Sequence, residues 1–157
     1  MVSLLLLLLA PSFPSTSATG WMEPAAFHLR FGMNLDETRK AFRGSGHSLG
    51  PAGSKGEWIV DYEDGKSITL VFVKGRLQSI RFELVDFIPR IREAFREYEG
   101  RITRVRGTPT TRTGSILIYE EKVPQIYVVV STDSSSSFGR KGLGFLAVRY
   151  FVPAASP

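Results

Sequence analysis

The sequence predicts an α+β fold of two tandem helix–three-strand units, an antiparallel sheet with two helices packed on it. Three observations predict it: two helical stripes of apolar residues, runs of strand-like residues after each, and glycine-containing turns between the runs. The first unit covers residues 27–85 and the second 87–153, together one domain behind a leader (1–18) and a linker (19–26). The repeat rests on element order, because identity between the halves is weak.

The elements follow in order. Phe27-His-Leu-Arg-Phe31 alternates apolar and polar residues, the period of a half-buried strand. Asn34 then reads as a helix N-cap, with Glu37 three residues on completing a capping box. Leu35, Thr38, Ala41 and Phe42 fall on one face of a helix running to about Arg43. After the glycine-rich stretch Gly44–Gly56 come three strands, Glu57–Glu63, Ser67–Val73 and Arg76–Leu84. Asp64-Gly65 and Lys74-Gly75 close them as a meander, since glycine takes positive φ freely. Asp86 reads as the cap of a second helix, whose stripe is Ile88, Ile91, Phe95, Tyr98, Ile102 and Val105. Gly100 interrupts that pattern and predicts a bend or a split. Gly107 and Pro109 stop the helix. Strands Ser115–Glu120, Gln125–Ser131 and Gly144–Val152 follow, with a mobile loop, Thr132–Gly142, before the last.

The 157 residues are 43% hydrophobic and 22% charged, a globular balance. The formal charge of +5 permits nucleic acid, anionic lipid or an acidic protein as partner and selects none. Leu4–Ala10 is a short apolar run, followed by a polar, proline-broken segment ending in the small residues Thr16-Ser17-Ala18. That pattern predicts an export signal, although no Lys or Arg precedes Leu4. The run is well short of the ~20 residues of a spanning helix. With no cysteine, the mature chain has no disulfide, thiolate metal site, cysteine nucleophile or lipid-bearing cysteine. The expected location is periplasmic or secreted.

Few residues are arranged for chemistry. Gly44–Gly56 (GSGHSLGPAGSKG) lacks the Gly-Lys-Ser/Thr of a P-loop. It also leaves a helix and enters a strand, so no helix N-terminus faces an anion there. It reads as a corner. His28 and His47 read as solvent-exposed. Asp61 and Glu63 share one strand face, as acid–base carboxylates of a small hydrolase could. The bland reading is a wet face running into a charged turn. No His-Glu-x-x-His and no nucleophile elbow occurs. No cofactor and no metal is expected.

Residues 90–112 carry seven arginines against Glu93, Glu97 and Glu99, a local surplus of four positive charges. Arg90, Arg92, Arg96, Arg101, Arg104 and Arg106 form a basic patch suited to an acidic protein or to anionic headgroups. Its alternative is a solvated face. The aromatic residues nearby, Phe95 and Tyr98, belong to the apolar stripe, which together with the export signal argues against nucleic acid.

Phe31-Gly-Met-Asn-Leu-Asp-Glu-Thr-Arg-Lys-Ala-Phe42, followed by Gly50-Pro51, resembles the Gly-Met-Ser/Thr-x-x-Glu…Gly-x-Pro signature of the BamE-like outer-membrane-assembly proteins. It is also similar to the wider fold group of secreted β-lactamase-inhibitor proteins. Gly32, Met33, Asn34 and Glu37 carry the likeness, with Gly107 and Pro109 matching the Gly-x-Pro after the second helix. The resemblance implies a small exported domain that binds another protein without catalysis. The envelope accessory leads, an inhibitor of a secreted enzyme follows, and a hydrolase using Asp61 and Glu63 comes last.

Overall fold

The computed structural model describes residues 17–63, 65–132 and 142–153. Asp64, most of the expected leader and most of the expected loop before the last strand lie outside the described residues. The chain runs through a 3-10 turn (Pro24–Phe27), α1 (Leu35–Gly44), β1 (Gly50–Pro51), β2 (Glu57–Glu63), β3 (Lys66–Val73) and β4 (Arg76–Phe87). It continues through α2 (Ile88–Arg106), β5 (Thr111–Arg112), β6 (Ile116–Tyr119), β7 (Gln125–Ser131) and β8 (Leu143–Phe151).

All eight strands form one antiparallel sheet in the order β1-β2-β3-β4-β8-β7-β6-β5. This corrects the expectation of two tandem helix–three-strand units. Ser79 through Phe87 of β4 pair residue for residue with Phe151 back to Leu143 of β8, so the two meanders are joined through the middle of a single sheet. Each meander also gains a fourth strand. Gly50 and Pro51 pair with Ile59 and Trp58, and Thr111 and Arg112 pair with Ile118 and Leu117.

Three local expectations are also corrected. Residues 27–31 form no strand. Phe27 closes the 3-10 turn, and His28 adopts a left-handed φ of 55° that breaks any pleat. Asp86 lies within β4 rather than capping α2. Its Oδ1 accepts from the Phe87 amide at 2.7 Å, and its Oδ2 lies 3.6 Å from Arg90. Gly100 does not split α2, which runs unbroken through this exposed position from Ile88 to Arg106.

Strand alternation assigns every strand residue to one of two faces. Val60, Ile68, Phe82, Val148, Val128 and Leu117 form one continuous row across β2, β3, β4, β8, β7 and β6, and all six are buried. α2 covers the β4–β8 part of this face with Ile91, Ala94, Tyr98 and Ile102. Gly144 is the seat of that helix. A Cβ there would stand 2.5 Å from the Ser131 carbonyl oxygen, with Ile88 and Ile91 in ordinary contact beside it. The β2–β4 part is covered by Trp21, Met22, Phe27 and Leu29, with Phe42 of α1. Phe27 meets Phe42, Phe82 and Tyr62 at ring separations of 5.5, 6.2 and 5.2 Å, and Trp21 stacks on Tyr62 at 5.5 Å.

A buried chain of hydroxyls ties helix, sheet and N-terminal segment together. The Tyr150 hydroxyl donates its one proton to the Met22 carbonyl at 3.0 Å. The Tyr98 hydroxyl, 2.7 Å away, therefore donates to the Tyr150 oxygen. Burial, reinforced by the neighbouring Tyr150 phenol, pushes Tyr98 well above its usual 10.0, and burial likewise pushes Tyr150 up. The order of donation makes the two hydroxyls unequal. Tyr98→Phe removes one donor and orphans nothing, at about 1 kcal/mol in urea unfolding. Tyr150→Phe strands both the Met22 carbonyl and the Tyr98 hydroxyl and should cost roughly 3 kcal/mol. Equal costs would contradict the chain.

Candidate functional site

Among the described residues, the second face of the sheet carries no helix. Ile59, Val71, Val85, Ile116, Ile118, Tyr127, Val129, Phe145, Ala147 and Phe151 point to it by alternation and register, and all are half-buried. Phe87, at its margin, is 60% exposed. The apolar residues concentrate over β6, β7 and β8, whereas Glu57, Asp61, Arg81 and Glu83 occupy the β2–β4 side. An apolar surface that no described element covers is what a monomeric domain normally avoids unless something docks there.

Two arginines mark the boundary between these regions, paired across β4 and β8. Arg81 makes an ion pair with Glu83 at 3.4 Å. Arg149 donates from Nε to Ser79 Oγ at 2.8 Å and lies 5.4 Å from the centre of the Phe151 ring. Phe151 in turn meets Tyr127 at 5.1 Å. Arg149 is exposed and, among the described residues, has no carboxylate partner. The Tyr127 hydroxyl donates to Glu120 at 3.2 Å, which fixes the ring at the rim of the apolar region.

The arginines of the 90–106 segment are dispersed around α2. Arg90 faces Asp86, Arg96 donates to the Arg92 carbonyl at 3.3 Å, and Arg104 donates to the Gly100 carbonyl at 3.0 Å. Arg106 reaches the Pro124 and Lys122 carbonyls at 2.6 and 3.1 Å, holding the β6–β7 connection. Arg101 turns inward, donating to the Thr19 carbonyl at 2.9 Å, meeting Glu23 at 3.1 Å and lying over the Tyr98 ring. Arg92 stays exposed on the helix.

The motif residues near α1 are structural in their contacts. Asn34 and Glu37 form the capping box, with the Glu37 amide donating to Asn34 Oδ1 at 2.9 Å and the Asn34 amide to Glu37 Oε2 at 2.7 Å. The Gly32 amide donates to the Leu77 carbonyl, and the Leu77 amide donates to the Met33 carbonyl, pinning the start of α1 to the start of β4. Gly107 ends α2 at a φ of 87°, and Pro109 follows half-buried.

Asp61 and Glu63 are both exposed, and a register irregularity separates them. Asp61 points to the uncovered face, while Glu63 pairs with Lys66 at 2.5 Å. Both border an open depression of about 510 Å³. His28 is exposed. His47 is half-buried against Tyr62 at 4.6 Å, which corrects the expectation that it stands in solvent. Among the described residues no cluster of histidine and carboxylate is placed to hold a metal ion, and no helix is long and apolar enough to cross a membrane. Comparison with family models, with curated proteins and with solved structures finds no match for this chain.

Sequence reasoning missed the uncovered face. The available signal was that the residues alternating with the core set in β6, β7 and β8 are themselves apolar, where a wet face would be polar. Two outcomes check the assignment. Val128→Thr buries a hydroxyl on the covered face and should cost roughly 1–3 kcal/mol, whereas Val129→Thr, one residue on, should cost less than about 0.5 kcal/mol. Similar costs in urea unfolding would mean that both faces are covered.

Burial raises the Glu97 carboxyl, but hydrogen bonds from Ser17, Thr19 and the Thr19 and Ala18 amides outweigh it and hold the group below 4.5. A lowered folded value means stability is fully present above the ordinary carboxylate range and is lost as pH falls through the folded value. Glu97→Gln should therefore flatten the stability profile below about pH 4.5, measured by urea unfolding at stepped pH. An unchanged acid limb would contradict this.

Proposed function

We propose that this chain is an exported, non-enzymatic protein-binding domain acting as an envelope-associated accessory, and that it meets its partner with the uncovered sheet face. The observation that carries the reading is that face itself, where an apolar field over β6–β8 borders Arg149, a guanidinium without a carboxylate partner among the described residues. Its partner is another protein that lays apolar side chains on Tyr127 and Val129 and brings a carboxylate to Arg149. A buried aromatic centre with a charge at its edge is the usual energetic layout of such contacts. The motif likeness to BamE-like proteins supports the envelope setting, and the leader-like start supports export. Absence of cysteine from the sequence, and the exposure of Asp61 and Glu63, support a role without turnover.

A second reading, an inhibitor that covers the active site of a secreted enzyme, is favoured by the aromatic pair Tyr127 and Phe151 on that face. The basic surface of α2, whether toward an acidic protein or anionic headgroups, is less favoured. Arg90, Arg101 and Arg106 have partners within the domain.

Photo-crosslinking in the exporting cell separates these. A crosslinker replacing Val129 should capture one protein, in the membrane fraction for an accessory and in the medium for an inhibitor. Arg149→Ala should weaken that capture at least tenfold, about 1.4 kcal/mol. Capture from Arg92 but not from Val129 would move the site to α2 and overturn the proposal.

A further inference from the structure

The segment entering the domain is gripped by a carboxylate in a way that its backbone amide alone does not require. Thr19 is fully buried. Its amide nitrogen lies 3.3 Å and its Oγ1 2.9 Å from Oε1 of Glu97, and the Ser17 hydroxyl donates to the same oxygen. One helical turn on, Arg101 donates to the Thr19 carbonyl at 2.9 Å and to the Ser17 hydroxyl at 3.1 Å, while its guanidinium pairs with Glu23 at 3.1 Å. Of the two carboxylates here, only Glu23 meets that guanidinium. Among the described residues Glu97 has no cation within ion-pair distance, although it is half-buried. A carboxylate that already receives a backbone nitrogen, and is short of one positive charge, is a receptor for an α-ammonium.

The residues before Thr19 are Thr16, Ser17 and Ala18, small side chains of the kind accepted before an export cleavage. We propose that the Ala18–Thr19 bond is the processing site and that Glu97 holds the new N-terminus. The inference rests on the export part of the function proposed above. Hydrolysis adds one water. Its oxygen joins the Ala18 carbonyl carbon, which leaves as a carboxylate, and the Thr19 nitrogen becomes an ammonium. Cutting takes place on the unfolded chain during export, so the burial of Thr19 in the folded domain does not block it. The contacts of Ser17, and the bond from Trp21 Nε1 to the Ala18 carbonyl at 3.2 Å, are lost. Both Thr19 contacts to Glu97, the Arg101 bond to the Thr19 carbonyl and the Arg101–Glu23 pair remain. The local charge then balances, with Glu97 and Glu23 against Arg101 and the ammonium.

The test is the mass and N-terminal sequence of the full chain expressed in an exporting host, followed by acylation of the α-amine at neutral pH. The expected product begins at Thr19. Its α-amine, held protonated by Glu97, should acylate about tenfold more slowly than in Glu97→Gln, the effect of one pKa unit. A product beginning at any other residue, or equal acylation rates, overturns this inference and leaves export standing. A retained leader overturns both.

Discussion

The pairing of β4 with β8 is the constraint on which the rest of the structure depends. It joins one half of the chain to the other over the full length of Ser79–Phe87, and places both strands at the centre of the sheet. Because register fixes which side chains face which way, this one seam sets the composition of both faces at once. Phe82, Leu84, Leu146 and Val148 go to the covered side, and Arg81, Phe145, Ala147 and Arg149 go to the other. Closure at the far edges is modest, since β1 and β5 are two residues each, and short edges limit pairing with other chains.

The covered face is built from parts distant in sequence. α2 lies over β4 and β8, and the β2–β4 part needs the segment around Trp21, Met22 and Phe27, which also touches Phe82 and Tyr150. The Tyr98–Tyr150–Met22 hydroxyl chain joins helix, central strand and entering segment at one buried point. Arg101 and Glu97 repeat the connection a short distance away on the same helix. The residues ahead of α1 are therefore part of the core, although their composition reads as a linker.

Legibility followed the range of the forces involved. Strands β2, β3, β4, β7 and β8 were readable because alternation is local, and α1 was readable because Asn34 and Glu37 satisfy its first amides themselves. The edge strands β1 and β5 carry no alternation at two residues, and Gly50 and Pro51 read as turn. The β4–β8 seam pairs residues some sixty positions apart, which no local pattern encodes. Its effect was to turn two expected units into one sheet. Gly100 misled for another reason: propensity predicts a weak point, yet the tertiary packing of Ile91, Tyr98 and Ile102 holds the helix through it. At the candidate site, individual arginines were visible but their partners were not. Arg101 reads as surface charge until Thr19 and Glu23 are placed beside it, and Arg149, which no motif singles out, became prominent only through its position on the uncovered face.

A sheet can leave an apolar face without a helix only where its stability comes from elsewhere, here from the β4–β8 seam and the covered face. Native-state hydrogen exchange tests that seam most directly. If β4 and β8 bind the chain into one cooperative unit, their amides exchange only through global opening, with one shared free energy, while β1 and β5 exchange far faster. Two separate free energies, one for β2–β4 and another for β6–β8, would show halves that open independently and would contradict the single sheet.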